Sequence, residues 1–442
     1  MLSFVGLILM GTFGLMWLPG LYTGPSLSWM DALYTSTSAV CVTGLIVVDT
    51  ATYFTPAGQA FVLLLIQLGG LGILTFTTLV ILALGRRLSL QHEAVTASAA
   101  EVAPEVDFRH LVRNIVRFTL AFEAVGALVL FLVWLPRFPV ATAAWHAVFQ
   151  SVSAFCNAGF STFSDSLTGF QSSPIALATI GGLIVLGGLG FLTLEELHLR
   201  WKRRREKAQP RLSLHSRLVL VVTLVLLVVG AGVYAGLEWR NTLGDMSIFD
   251  RLVNAAFMSA TARTAGFNTV SYGATADSTN FFTILLMSVG GSPGSTAGGL
   301  KTTTFAVLGL TALARLRGRH TASLLGRSIP DETVQRSVGL FVVGFIAVTA
   351  GILLFAIVEL PPVGTGSSSG FLGYMFEAVS AFNTVGLSMG ATGGVSALGK
   401  VTTILLMYMG RVGPLTVAAA ISVRSDVAAE EFRYAYEDVI IG

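Results

Sequence analysis

Residues 38–45 read SAVCVTGL, and nearly the same outline returns as SAFCNAGF at 153–160, ATARTAGF at 260–267 and SAFNTVGL at 380–387. No copy carries a carboxylate, and each sets one glycine (Gly44, Gly159, Gly266 or Gly386) among small or β-branched residues. Aligning the four glycines aligns their surroundings as well. Before each lies a short amphipathic stretch: WMDALYTSTSAV, WHAVFQSVSAF, LVNAAFMSATA and YMFEAVSAF. Stretches of that length are too short to span a bilayer and suit re-entrant half-helices. After each glycine a second signature follows: QLGGLGILTF at 67–76, VLGGLGFLTL at 185–194, SVGGSPGSTA at 288–297 and YMGRVGPLTV at 408–417.

The chain's 442 residues are 53% hydrophobic and 12% charged. A soluble domain carries about 25% charged residues, so this composition points to a membrane. Apolar runs near 2–18, 110–135, 216–237 and 337–358 precede the half-helices, and longer ones near 57–84, 174–199, 280–313 and 399–423 follow them. The start lacks the basic flank and cleavage site of a signal peptide, so residues 2–18 are read as a span. The repeating unit is therefore span, half-helix, glycine loop, span. Because each unit crosses twice, every copy enters with the same orientation, unlike the alternating copies of inverted-repeat transporters. The expected fold is an all-α polytopic membrane protein. Its four parallel span–pore-helix–span repeats would stand in pseudo-fourfold symmetry around one central pore. The repeats run 1–85, 86–200, 201–318 and 319–424, with a tail at 425–442.

Charge sets the orientation. Arg86, Arg87, Arg109, Arg113 and Arg117, the run RWKRRREK at 200–207, and Arg315, Arg317, Arg319, Arg327 and Arg336 all fall on one set of loops. The other set holds only Arg137, Arg240, Arg251 and Lys400. The positive-inside rule places the basic loops, and both termini, in the cytoplasm. These basic runs are read as orientation signals and lipid neighbours, not as a nucleic-acid surface. Cys41 and Cys156 occupy matching columns of two repeats and have no metal-ligand spacing.

Non-helical backbone at membrane depth is tolerated only inside protein or along a water-filled cavity. The segments Val42-Thr43-Gly44, Asn157-Ala158-Gly159, Thr264-Ala265-Gly266 and Thr384-Val385-Gly386 offer a cation only carbonyl oxygens. A ring of carbonyls can replace the hydration shell of K+. Each half-helix adds a partial negative charge at its C-terminal end, just before the loop. The competing reading is that the glycines merely let helices pack closely, as is common in membranes.

With these loops, the interrupted sixth long span and the ending FRYAYEDVIIG at 432–442, the chain resembles the Trk/Ktr/HKT superfamily of potassium transporters. Within it, the chain looks most like the membrane subunit of bacterial Ktr systems. The resemblance implies a bacterial cytoplasmic membrane and one filter glycine per repeat. It also implies a homodimer and a separate cytoplasmic ring of nucleotide-binding regulatory subunits. No cofactor is implied. K+ is the transported ion, and Na+ is an activator in some relatives. A serine in the first repeat accompanies sodium transport in plant relatives, so the intact Gly44 favours potassium.

The third repeat is read as departing from its siblings. Residues 290–304, GGSPGSTAGGLKTTT, interrupt what the other copies continue as apolar helix. Glycines and a proline make a poor lipid-facing helix. The stretch is similar to the phosphate-binding pattern G-x-x-x-x-G-K-[ST], but Leu300 separates the glycine from Lys301 and no strand precedes it. The resemblance implies instead an intramembrane gate made of Gly290, Gly291, Ser292, Pro293, Gly294, Ser295, Thr296, Ala297, Gly298, Gly299 and Lys301. Arg411 occupies the column of Gly70, Gly188 and Gly291. A charge at that depth faces a cavity or the bundle interior, so Arg411 is expected to donate to gate carbonyls and raise a cationic barrier. Arg263 is expected behind the filter, pinning loop carbonyls or pairing with Glu377. For Glu123, Glu238 and Glu359, snorkelling or loop contacts suffice.

Three functions compete. A channel-like potassium subunit fits the carbonyl loops. A carrier coupled to sodium or protons would show intramembrane carboxylates along a path. An intramembrane enzyme would need paired aspartates, HExxH or a serine–histidine pair, and none is present.

Overall fold

The computed structural model describes residues 2–72, 108–202, 212–319, 321–324, 326–359 and 369–413. The tail at 425–442, Arg86, Arg87 and the ends of the second spans of repeats 1 and 4 lie outside the described residues.

The chain is mostly helical. The four amphipathic stretches form helices α2 (Trp29–Val40), α6 (Val140–Phe155), α10 (Ile248–Thr261) and α14 (Ser369–Phe382). Two of them start alike, because Ser28 and Ser247 accept hydrogen bonds from the amides of Asp31 and Asp250, both at 3.2 Å. Such N-caps satisfy amides that a helix start leaves open. The helices preceding them are α1 (Leu2–Trp17), α5 (Phe108–Trp134), α9 (Leu214–Glu238) and α13 (Asp331–Val358). Those following them are α4 (Pro56–Gly70), the pair α7 (Pro174–Gly188) and α8 (Phe191–Lys202), the pair α11 (Asp277–Met287) and α12 (Thr302–Leu316), and α15 (Ala397–Val412). A one-turn helix, α3 (Thr50–Tyr53), precedes α4. Ser323–Leu324 and Arg327–Ser328 form a two-residue antiparallel hairpin, β1–β2, which the helical pattern did not foretell.

Among the described residues three helices are long and apolar enough to cross a membrane: Arg113–Trp134, Leu214–Glu238 and Asp331–Val358. At 16 residues, α1 is shorter. The second spans of repeats 2 and 3 are both interrupted, which corrects one expectation. The break is not peculiar to the third repeat, for α7 and α8 bend by 104°. The bend falls at Gly190, whose φ is +87° and whose Cβ, if it had one, would stand 2.5 Å from the Pro293 oxygen. Gly72 and Gly413, in the same column, also have positive φ, at +80° and +96°. What distinguishes the third repeat from the second is the length of its break, 288–301; helix resumes at Thr302, so 302–304 are helical.

Contacts between units run in chain order and return. Trp145 of α6 donates to Gln59 of α4 at 2.7 Å, and Asn254 of α10 donates to the Gln171 carbonyl at 2.9 Å. Tyr272 packs on Phe376 of α14 with ring centroids 5.4 Å apart. Lys400 of α15 meets Asp31 of α2 at 2.6 Å, closing the fourth unit on the first. Burial raises the Asp31 carboxyl, but hydrogen bonds from Lys400 and Ser28 and the Lys400 charge outweigh it and hold the group below its ordinary value. A carboxyl lowered on folding stabilises above its unfolded pKa, and that stabilisation is lost as pH falls through the folded value. Lys400→Ala is therefore expected to cost at most about 1 kcal/mol at neutral pH. Thermal unfolding in detergent should show the gap to the parent closing in acid.

Candidate cation site where four glycine loops converge

At the end of each half-helix the backbone turns left-handed twice, with one residue between. Val42, Asn157, Thr264 and Thr384 have φ of +57°, +60°, +66° and +50°; Gly44, Gly159, Gly266 and Gly386 have +91°, +71°, +77° and +89°. Left-handed backbone costs a non-glycine residue about 1–2 kcal/mol, and such strain clusters at functional sites. Alternating hands along three residues turns successive carbonyls toward one side.

The glycines meet. A Cβ placed on Gly44 would stand 2.4 Å from the Ala158 oxygen, and one on Gly159 would stand 2.9 Å from the Ala265 oxygen. On Gly266 it would stand 2.7 Å from the Val385 oxygen, and on Gly386 2.0 Å from the Thr43 oxygen. Each glycine thus abuts the carbonyl that precedes the next unit's glycine, in the order one to two to three to four to one. The loops that the sequence singled out are brought together, all buried except the half-buried Gly159.

Side chains from the half-helices hold this backbone. Ser38 and Ser380 accept from the Gly44 and Gly386 amides at 3.1 and 3.0 Å. Ser153 and Thr261 donate to the Phe160 and Phe267 carbonyls at 2.7 and 2.6 Å. Sequence reasoning passed over these hydroxyls, although the column SAV, SAF, ATA, SAF displays three of them.

The 288–301 segment lies against the second-span residues Gly187, Gly188, Phe191 and Gly410 of the second and fourth units. Ser292 and Thr296 donate backbone N–H groups to the Gly188 and Gly187 carbonyls at 3.0 and 3.2 Å, and Phe191 donates to the Gly294 carbonyl at 2.9 Å. The Thr296 hydroxyl donates to the Phe155 carbonyl at the end of α6 at 3.1 Å, and the Leu300 amide donates to Asn383 Oδ1 at 3.2 Å. Within the segment, Lys301 Nζ donates to the Ala297 carbonyl at 2.8 Å. From α15, the Gly410 carbonyl accepts from the Gly299 amide at 3.0 Å. Arg411 donates from one nitrogen to the Thr296 carbonyl and from another to the Gly69 carbonyl of α4. The expected contact between Arg411 and the glycine-rich segment is present; its second arm, onto the first unit, was not foreseen.

One expectation does not hold. Among the described residues no ion pair joins Arg263 to Glu377, and Arg263 Nε is buried without a partner. Glu377 is engaged by the hydroxyls of Ser388 and Thr392 instead. Glu123 does not snorkel, but it makes a loop contact, to Cys156 at the start of the second glycine loop. It is 5% exposed, accepts from Gln67 Nε2 at 3.3 Å and lies 3.8 Å from Cys156 Sγ. Glu238 and Glu359 also make loop contacts, to Thr242 and Asn241 at 2.8 Å and to Ser396 at 2.6 Å.

Long apolar helices with buried non-helical backbone at their midst define an integral membrane protein. Comparison with known proteins narrows this. The family model "TrkH: Cation transport protein" matches residues 7–430. The chain is 38% identical over 420 residues to the Ktr system potassium uptake protein B of Vibrio alginolyticus, covering 95% of this chain and 89% of that one. It is 36% identical over 422 residues to the potassium/sodium uptake protein NtpJ of Enterococcus hirae, covering 95% and 91%. The crystal structure of the potassium transporter TrkH from Vibrio parahaemolyticus superposes with a TM-score of 0.73 at 18% identity, over 95% of this chain and 83% of that one. The chain belongs to the TrkH family of cation transport proteins, which is a family of transporters and not of enzymes.

Proposed function

We propose that this chain is the pore-forming subunit of a Ktr-type potassium uptake system in a bacterial cytoplasmic membrane, with both termini in the cytoplasm. Its four units stand parallel, in pseudo-fourfold symmetry, about one central pore. K+ sheds water and passes a ring of carbonyls contributed by Val42, Thr43, Gly44 and their counterparts Asn157, Ala158, Gly159, Thr264, Ala265, Gly266, Thr384, Val385 and Gly386. The observation that carries this reading is the closed succession of glycine-to-carbonyl contacts, from Gly44 to Ala158 and finally from Gly386 back to Thr43. The 288–301 segment, tied to Arg411, is the gate beneath the ring. Two such chains pair, and a cytoplasmic ring of nucleotide-binding subunits governs the gate; the relatives' naming as parts of a Ktr system supports a multicomponent assembly.

A second reading is uptake of potassium coupled to sodium or protons. It is favoured by the potassium/sodium name of one relative and by the buried carboxylate of Glu123. Purified protein in liposomes separates the two. The channel reading expects K+ and Rb+ flux down their own gradients, with Na+ excluded. Flux that appears only when a sodium or proton gradient is imposed would replace it with the carrier.

A further inference from the structure

Nine residues before each loop glycine, the half-helices carry Thr35, Gln150, Phe257 and Glu377. Two of these reach across to the residue two positions beyond their own glycine. Gln150 Nε2 donates to Ser161 Oγ at 2.6 Å, and Ser388 Oγ donates to Glu377 Oε1. In the fourth unit the Thr392 hydroxyl adds a bond to Glu377 Oε2 at 2.6 Å, and the amides of Met389 and Ala391 face the same carboxylate. Ser388 Oγ in turn accepts from the Gly390 amide at 2.8 Å. Both braces are sealed from solvent, Gln150 at 0% and Glu377 at 2% exposed. The first and third units lack them. The Thr35 hydroxyl is buried with no partner among the described residues, and its counterpart is Ile46. Phe257 has no polar atom to offer, and Asn268 spends its amide on the Val270 carbonyl at 3.1 Å.

The glycine contacts run one to two to three to four to one, so units two and four face each other across the ring. The braces therefore stiffen one diagonal and leave the other unbraced. Only the fourth unit adds a full negative charge. A carboxylate removed from water without a cation is costly, and here hydrogen bonds to both oxygens offset part of that cost. A loop that merely needed fastening is served by a neutral amide, as the second unit shows. The carboxylate adds attraction for a cation in a low-dielectric setting, where charge acts strongly.

We propose that Glu377 is a positioning residue for cation selection. Its carboxylate fixes the 386–392 backbone, and through it the Val385 and Gly386 carbonyls, and it biases the outer mouth of the ring toward cations. Gln150 braces the opposite unit. The proposal rests on the reading of the four loops as the ion path.

The test uses the full chain in liposomes and reads K+ against Na+ flux together with the half-saturation for K+. Glu377→Gln is expected to lower K+/Na+ discrimination about tenfold, the scale of one lost charge-assisted hydrogen bond, and to raise the K+ half-saturation. Gln150→Leu should lower discrimination less, and Thr35→Ala should leave it unchanged. If Glu377→Gln does not yield folded protein, Ser388→Ala, which removes one donor and leaves the helix intact, must show the loss of discrimination. Glu377→Gln or Ser388→Ala protein with parental selectivity, beside a Gly44→Ser variant that loses it, overturns the strut and leaves the ion path standing. Parental selectivity in Gly44→Ser as well overturns the ion path and the strut with it.

Discussion

Gly386→Ala is expected to lose potassium uptake by about a hundredfold, the most severe of four equivalent substitutions. The Cβ it adds would stand 2.0 Å from the Thr43 oxygen, the tightest approach in the ring. Alanine must also adopt φ near +89° there, a conformation costing an L-residue about 1–2 kcal/mol. Strain and overlap together exceed about 2.8 kcal/mol, which is a hundredfold in an equilibrium. The carbonyl relieves the overlap by turning away, and it is one of the groups proposed to face the ion. The same reasoning orders the other positions by their clearances of 2.4 Å at Gly44, 2.7 Å at Gly266 and 2.9 Å at Gly159. Alanine should therefore be worst at Gly386, then Gly44, then Gly266, and mildest at Gly159. Gly44→Ser should in addition lose about tenfold in discrimination against sodium, because a displaced carbonyl leaves a looser cage. Uptake measured in cells lacking other potassium importers, normalised to membrane-inserted protein, checks the order. Equal tolerance at all four positions would mean the glycines serve packing alone.

What the sequence made legible follows from how local each feature is. The half-helices and glycine loops depend on a few consecutive residues, so four copies in register exposed them. The break at 288–301 was visible because proline and glycine act on their own backbone. The matching bend at Gly190 was hidden, since VLGGLGFLTL reads as continuous apolar helix. Its cause is tertiary: the Pro293 carbonyl of the third unit presses against Gly190, and the Gly294 carbonyl accepts from the Phe191 amide. The pairing of Arg263 with Glu377 failed for the same reason. Opposite charges within the membrane suggest each other, but Glu377 had nearer donors in Ser388 and Thr392, eleven and fifteen residues along its own unit. Glu123 meets the expected loop through Cys156, but its other partner, Gln67 of α4, comes from a separate stretch of chain that local pattern does not pair with it.

Arg411→Ala is expected to raise resting cation flux at least about tenfold and to weaken its dependence on any cytoplasmic regulator. Arg411 holds the Thr296 carbonyl of the glycine-rich segment with one nitrogen and the Gly69 carbonyl of α4 with another. Hydrogen bonds to charged groups contribute about 1.5–3 kcal/mol each, so losing the clamp shifts a closed-to-open balance by a factor of ten or more. The variant also removes a positive charge from the proposed path beneath the ring, where such a charge would repel a transported cation. Both effects act in one direction. Arg411→Lys separates them, because an ammonium keeps the charge but lacks the planar fork that bridges two carbonyls. It should fall between the parent and Arg411→Ala. The segment keeps its other anchors, from Ser292 to Gly188, Thr296 to Gly187 and Leu300 to Asn383, so the variants should remain folded and elute as the parent does. Liposome flux with and without added regulator reads the outcome. Reduced flux from well-folded Arg411→Ala would show that the guanidinium supports the open path and does not bar it.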